Sequence, residues 1–275
     1  MSDNRYPTSD VSKLLEVEHL TTVFDLLGGA TAVAVSDVSI EINAGETLCL
    51  VGESGSGKSM TALSILRLVR PPGRIAGGRV VFRGRNLLAL SEREMQRIRG
   101  GGIGLVFQEP TAALNPVLTI GSQIAETLAV HGVSRGRAAR QRAIELLDAV
   151  RVPDPGRRVR DYPHQLSGGL RQRAMIAIAL ACDPPLLMAD EPTAALDVTI
   201  QAQILELLRD LRERLELGLL LITHDFGIVA EMADRVAVMN AGRVVEQAPV
   251  RELFRQPKDP YTRQLLDAVP GRKRA

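Results

Sequence analysis

The stretch TLCLVGESGSGKS, residues 47–59, constrains this chain more than any other part of it. Its first five residues form a short, continuously apolar run of the kind that makes a strand buried on both faces. The run empties into G-x-x-x-x-G-K-[ST], residues 52–59, and a helix candidate, residues 60–69, follows. Glycines in such a loop let backbone N–H groups curl around phosphate oxygens without Cβ clashes, and the helix adds its positive N-terminal end. Gly52, Glu53, Ser54, Gly55, Ser56, Gly57, Lys58, Ser59 and Met60 are therefore candidates for holding a nucleotide, with Lys58 on the β and γ phosphates and Ser59 on Mg2+. The plain alternative is a Gly-rich turn that binds nothing. Roughly 3 in 1,000 shuffled chains of this composition would carry the pattern, before a flanking strand and helix are required. Only four of the 34 basic residues are lysines, and one of them, Lys58, stands at the motif position that demands Lys.

Composition narrows the rest. The formal net charge is +2 over 275 residues, which gives no electrostatic reason to expect a nucleic acid partner. Two distant cysteines, Cys49 and Cys182, make neither a disulfide framework nor a Cys-rich metal site, and the chain reads as reduced and intracellular. The polar first 13 residues lack an apolar signal core. Apolar runs such as residues 174–182 fall short of the roughly 20 residues that span a bilayer. Work at a membrane would need another chain to cross it.

Along the chain, residues 14–46 alternate as an antiparallel β lead-in with a turn at Gly28 and Gly29. Strand signals return at 78–88 and 102–107, and Ser91 with Glu94 has the spacing of a capping box. Residues 110–180 are dominated by helical patterns, including 138–150. LLMAD at 186–190 resumes the buried-strand texture, followed by a helix carrying Ile200, Ile204, Leu207, Leu208 and Leu211, a strand at 219–223 and a hairpin around 240–242. Strands alternating with helices predict an α/β fold: a phosphate-loop NTPase core with a mostly parallel sheet, an antiparallel β lead-in and an inserted helical subdomain.

A phosphate loop alone leaves kinases, GTPases and many ATPases open. LSGGLRQR, residues 166–173, matches the signature of ATP-binding cassette proteins, and from about Leu14 to Pro270 the chain resembles that family. The resemblance implies the cassette ATPase fold and a set of roles. LLMADEP gives Asp190, holding Mg2+, and Glu191, orienting or deprotonating the attacking water. Gln108 is similar to the family's glutamine that reaches Mg2+ and water, and His224 to the histidine that contacts the γ phosphate. Ser167, Gly168, Gly169 and Asp197 would serve a nucleotide bound mainly by the partner in a head-to-tail dimer. Ala195 stands where a serine is common. Phe24 is the candidate for stacking on adenine. Arg171 and Arg173, in an Arg-rich chain, read as helix-solvating residues.

Three further segments, 107–126, 162–173 and 258–270, are similar to the oligopeptide, dipeptide and nickel branch of bacterial importers. Many of its members continue into a Cys-rich segment, which this sequence lacks, so no iron-sulfur cluster is expected. The branch implies a peripheral ATPase at the cytoplasmic face of the inner membrane. Its partners would be a second cassette, identical or different, two permeases and an external substrate-binding protein. A non-transport cassette acting on ribosomes or in DNA repair is the alternative; such proteins usually carry two cassettes or large insertions. The expected divisions are a flexible N-terminus at 1–13, the nucleotide-binding core at 14–109 and 181–247, the helical subdomain at 110–180, and a C-terminal extension at 248–275.

Overall fold

A computed structural model describes residues 13–268. The expected N-terminal tail lies outside them except for Lys13, as do residues 269–275 of the expected extension. The described chain falls into two compact units, one formed before Gln96 and after Leu217, the other by Gln96–Leu217.

The first unit starts with the antiparallel lead-in. Strands β1 (Lys13–Asp25) and β2 (Thr31–Asn43) pair with Val17 opposite Ile40 and Val23 opposite Val33. Gly28 and Gly29 turn the chain between them at φ +91° and +82°, values that side chains with a Cβ resist. Strand β3 (Thr47–Val51) is buried at every residue, as its unbroken apolar run requires. Helix α1 (Lys58–Ile65) is shorter than the expected 60–69. Leu66 caps it, Arg67 turns left-handed at φ +53°, and Pro71 and Pro72 follow, so the apolar spacing outlasts the helix. The strand expected at 78–88 begins earlier, as β4 (Gly73–Phe82), and ends at a turn where Arg83 and Gly84 both have positive φ. The two-residue β5 (Arg85–Asn86) folds back on β4, completing an antiparallel sheet in the order β2-β1-β4-β5. Helix α2 (Glu92–Ile98) has its capping box: Glu94 N donates to Ser91 Oγ at 3.4 Å, and Ser91 N donates to Glu94 Oε2 at 2.9 Å.

The second unit is mainly helical. After β6 (Ile103–Val106) come α3 (Pro110–Ala113), α4 (Ile120–Val130), α5 (Gly136–Ala149), α6 (Pro155–Arg158) and α7 (Gly168–Ala179). Strand β7 (Leu186–Asp190) lies parallel to β6 with Val106 opposite Ala189. Helix α8 (Val198–Leu215) buries Ile204, Leu207, Leu208 and Leu211, the stripe its spacing predicts. Helix α7 buries Ala174–Ala177 without a polar side, and this draws Arg173 inside. Arg173 is 8% exposed and donates to Val150 O at 3.0 Å and Gln203 Oε1 at 3.2 Å. Its reading as a helix-solvating residue is thereby corrected: a buried guanidinium survives because its donors are satisfied.

The chain then returns to the first unit with β8 (Gly218–Thr223), α9 (Phe226–Met232), β9 (Arg235–Asn240), β10 (Arg243–Pro249), α10 (Val250–Arg255) and α11 (Pro260–Asp267). Here the strand order is β10-β9-β3-β8, with β3 parallel to both of its neighbours. The hairpin expected around 240–242 forms, Ala241 and Gly242 supplying the two positive φ values of a primed turn. Among the described residues no helix is long and apolar enough to cross a membrane.

Candidate active site

In open α/β sheets ligands gather at the carboxyl ends of the parallel strands. In the first unit Val51 ends β3 opposite Thr223 of β8, so Gly52 and His224 leave neighbouring strands at one edge. The loop that starts at Gly52 leaves little room for other residues. A Cβ on Gly52 would lie 2.2 Å from Met239 O, and one on Gly57, at φ +103°, would lie 2.6 Å from Ala34 O. Ser56 O accepts from Gly242 N at 2.9 Å, so the β9–β10 turn braces the loop. Lys58, only 5% exposed, donates from Nζ to Gly52 O and Glu53 O, both at 2.8 Å. Its ammonium is thus held over the loop, where an anion would meet it. Glu53, Ser54, Gly55 and Ser59 are exposed along this loop and helix start, and Met60 is half-buried. His224 is exposed, and the following Asp225 caps α9 by accepting from Gly227 N at 2.7 Å.

The second unit brings another expected pair together. Because β6 and β7 run parallel in register, Gln108 and Glu191 emerge side by side, and Gln108 Nε2 donates to Glu191 Oε2 at 2.8 Å. Asp190 ends β7 just before them. Glu191 has φ +43°, left-handed backbone that costs a residue with a Cβ about 1 kcal/mol or more. Such strain is commonest where a side chain must be aimed.

Ser167 caps α7, its Oγ accepting from Leu170 N at 3.4 Å, and Gly168 and Gly169 open the helix. A Cβ on Gly169 would lie 2.7 Å from Ile200 Cγ2, and one on Gly168 would lie 3.6 Å from Leu196 Cδ2. The signature turn and the 195–197 segment are therefore packed together within one chain. Asp197 caps α8 by accepting from Ile200 N at 2.9 Å, and Ala195 is left-handed at φ +59°. Phe24 is half-buried, and its ring packs over Gly73, where a Cβ would lie 2.7 Å from Phe24 Cε1.

Two supports carry no clear signal in the sequence. Gly242 looks like ordinary turn glycine, and nothing local ties it to Ser56. Arg171, expected to solvate its helix, instead donates to Leu166 O at 3.1 Å and Thr111 Oγ1 at 3.0 Å. It joins the signature turn to the segment just after Gln108, a link between residues 60 apart in sequence that spacing does not announce.

Comparisons with known proteins identify relatives of this chain. A family model described as ABC transporter matches residues 35–194. The chain is 54% identical over 270 residues to a probable peptide ABC transporter ATP-binding protein of Sinorhizobium fredii, covering 98% of this chain and 79% of that one. It is 51% identical over 261 residues to the oligopeptide transport ATP-binding protein OppD of Bacillus subtilis, covering 94% and 73%. Among solved structures, it is similar to an ATP-binding cassette captured as a dimer in a post-hydrolysis state with ADP and Pi. That match has a TM-score of 0.77 and 31% identity, over 86% of this chain and 99% of that one.

Proposed function

Because this chain belongs to the ABC transporter family, being an ATP-hydrolysing cassette, we propose that it energises import of di- or oligopeptides through partner permeases. The names of its relatives in Sinorhizobium fredii and Bacillus subtilis support peptides as the solute. What supports the chemistry most directly is the 2.8 Å hydrogen bond from Gln108 to Glu191, which joins a water-orienting amide to a candidate base.

Phosphoryl transfer asks a protein for positioning and charge stabilisation more than for covalent chemistry. Lys58 and the loop amides up to Ser59 hold the phosphates. Glu191 accepts the proton of the attacking water, Gln108 orients that water, and His224 contacts the γ phosphate. Ser167, Gly168, Gly169 and Asp197 act on the nucleotide of a second cassette, and Phe24 stacks on adenine. Ser59, Gln108 and Asp190 offer oxygen donors alone, a set that suits Mg2+, which supplies charge neutralisation when bound. The cassette sits at the cytoplasmic face of the membrane, docked on two permeases that receive solute from an external binding protein.

The test is purification of the intact membrane complex followed by ATPase and uptake assays. Hydrolysis stimulated by short peptides in a complex with two hydrophobic subunits is the expected result. Stimulation by nickel and not by peptides would replace the solute. Recovery on ribosomes without permeases would overturn import.

A further inference from the structure

Tyr261 stands in the first turn of α11, within a segment fixed at several points. Glu246 of β10, 8% exposed, accepts from Lys258 N at 2.8 Å and Asp259 N at 3.0 Å. Asp259 caps the helix by accepting from Tyr261 N at 2.8 Å. Arg263 donates to Pro257 O at 2.9 Å and Lys258 O at 3.0 Å, and the Thr262 and Leu266 side chains are buried. From this mount the Tyr261 hydroxyl accepts the N–H of Glu53 at 3.3 Å.

That N–H belongs to the Gly52–Glu53 peptide, whose carbonyl oxygen accepts Lys58 Nζ at 2.8 Å. A trans peptide is planar and points its N–H and C=O in opposite directions. Fixing one end therefore aims the other. We propose that Tyr261 is a positioning residue for the phosphate loop, through which the C-terminal segment holds the Gly52–Glu53 peptide with its carbonyl toward Lys58. The inference rests on the nucleotide-binding reading of that loop. It adds a control that the loop motif does not contain: anything that lifts residues 258–262 loosens the grip on phosphate about 200 residues earlier in the chain.

The experiment uses the full chain, in complex with its partners where these co-purify, and compares wild type with Tyr261→Phe. Titration with a fluorescent ATP analogue and steady-state hydrolysis are measured, with thermal melting as the check on folding. Losing one hydrogen bond should raise both Kd and KM for ATP roughly threefold to tenfold. The kcat at saturating ATP should stay within about twofold, and the melting temperature should fall by no more than about 2 to 4 °C, a split that a general loss of structure would not produce. Glu246→Gln, which loosens the mount, should shift KM in the same direction. The double variant should shift it by less than the two effects combined. Unchanged Kd and KM in Tyr261→Phe would overturn the inference while leaving nucleotide binding intact. A loss confined to kcat or to thermal stability would also overturn it. Wild-type protein that binds no ATP would remove the nucleotide reading itself, and this inference with it.

Discussion

The phosphate loop and the Gln108–Glu191 pair belong to the same proposed chemistry, yet they are built on opposite plans. The loop is fixed by backbone: glycines at 52 and 57 where a Cβ would strike carbonyl oxygens, Gly242 donating to Ser56 O, and a nearly buried Lys58 bonded to two loop carbonyls. The Gln108–Glu191 pair meets through side chains, in an exposed hydrogen bond at a residue whose backbone is strained. A preformed loop avoids the ordering entropy that binding would otherwise have to meet. Side chains can rearrange where backbone cannot, and amide and carboxylate hydrogen bonds in such sites commonly tighten only in the reacting complex. On the proposed reading, binding falls to the backbone-built part and turnover to the side-chain pair.

Three perturbations probe that division, from the largest effect to the smallest. Glu191→Gln should lower steady-state hydrolysis by roughly 10²- to 10⁴-fold while leaving ATP affinity near that of the wild type, because it removes a base and keeps the shape. Undiminished hydrolysis in a phosphate-release assay would move the base elsewhere. Lys58→Ala should act in the opposite way, on binding first. Losing a charge-assisted contact should weaken ATP affinity roughly 10- to 100-fold, which calorimetric titration can read. Unchanged affinity would show that the loop amides suffice without the ammonium.

The smallest effect is expected from acid, acting on the remote support of the loop. Burial, the largest single influence, would raise the Glu246 carboxyl, but the amides of Lys258 and Asp259 together with the Lys258 charge and the other groups facing it hold its pKa below the ordinary value. A carboxylate depressed in this way contributes stability that is complete above its unfolded pKa, about 4.3, and is lost as pH falls through the folded value. Unfolding midpoints followed downward from about pH 5 should therefore fall less steeply in Glu246→Gln than in wild type. Parallel curves would show that Glu246 contributes nothing to the acid response.

What could be read from sequence was mostly local. The strand, loop and helix at 47–65 announce themselves because each rests on neighbours within a few residues, and the hairpin at Asn240 and Gly242 does the same. The apolar spacing runs past the end of α1 because Arg67 turns left-handed with no glycine or asparagine to signal it. Helix α9 leaves no clear mark in the sequence because seven residues give too little periodicity. The pairing of Gln108 with Glu191 depends on the parallel register of β6 and β7, strands separated by five helices. Only the family resemblance made it foreseeable. The burial of Arg173 could have been anticipated. An apolar run from Ala174 to Cys182 leaves the helix no wet side, and a long polar residue at its edge must find partners inside.

The left-handed backbone at Glu191 also bears on how this protein can be improved. Glycine or asparagine would rest there more comfortably than glutamate, so a library screened for heat resistance alone would tend to discard the residue proposed as the base. Selection for durability and selection for work pull apart at this one position, and an engineer seeking a hardier cassette should hold it fixed and look elsewhere.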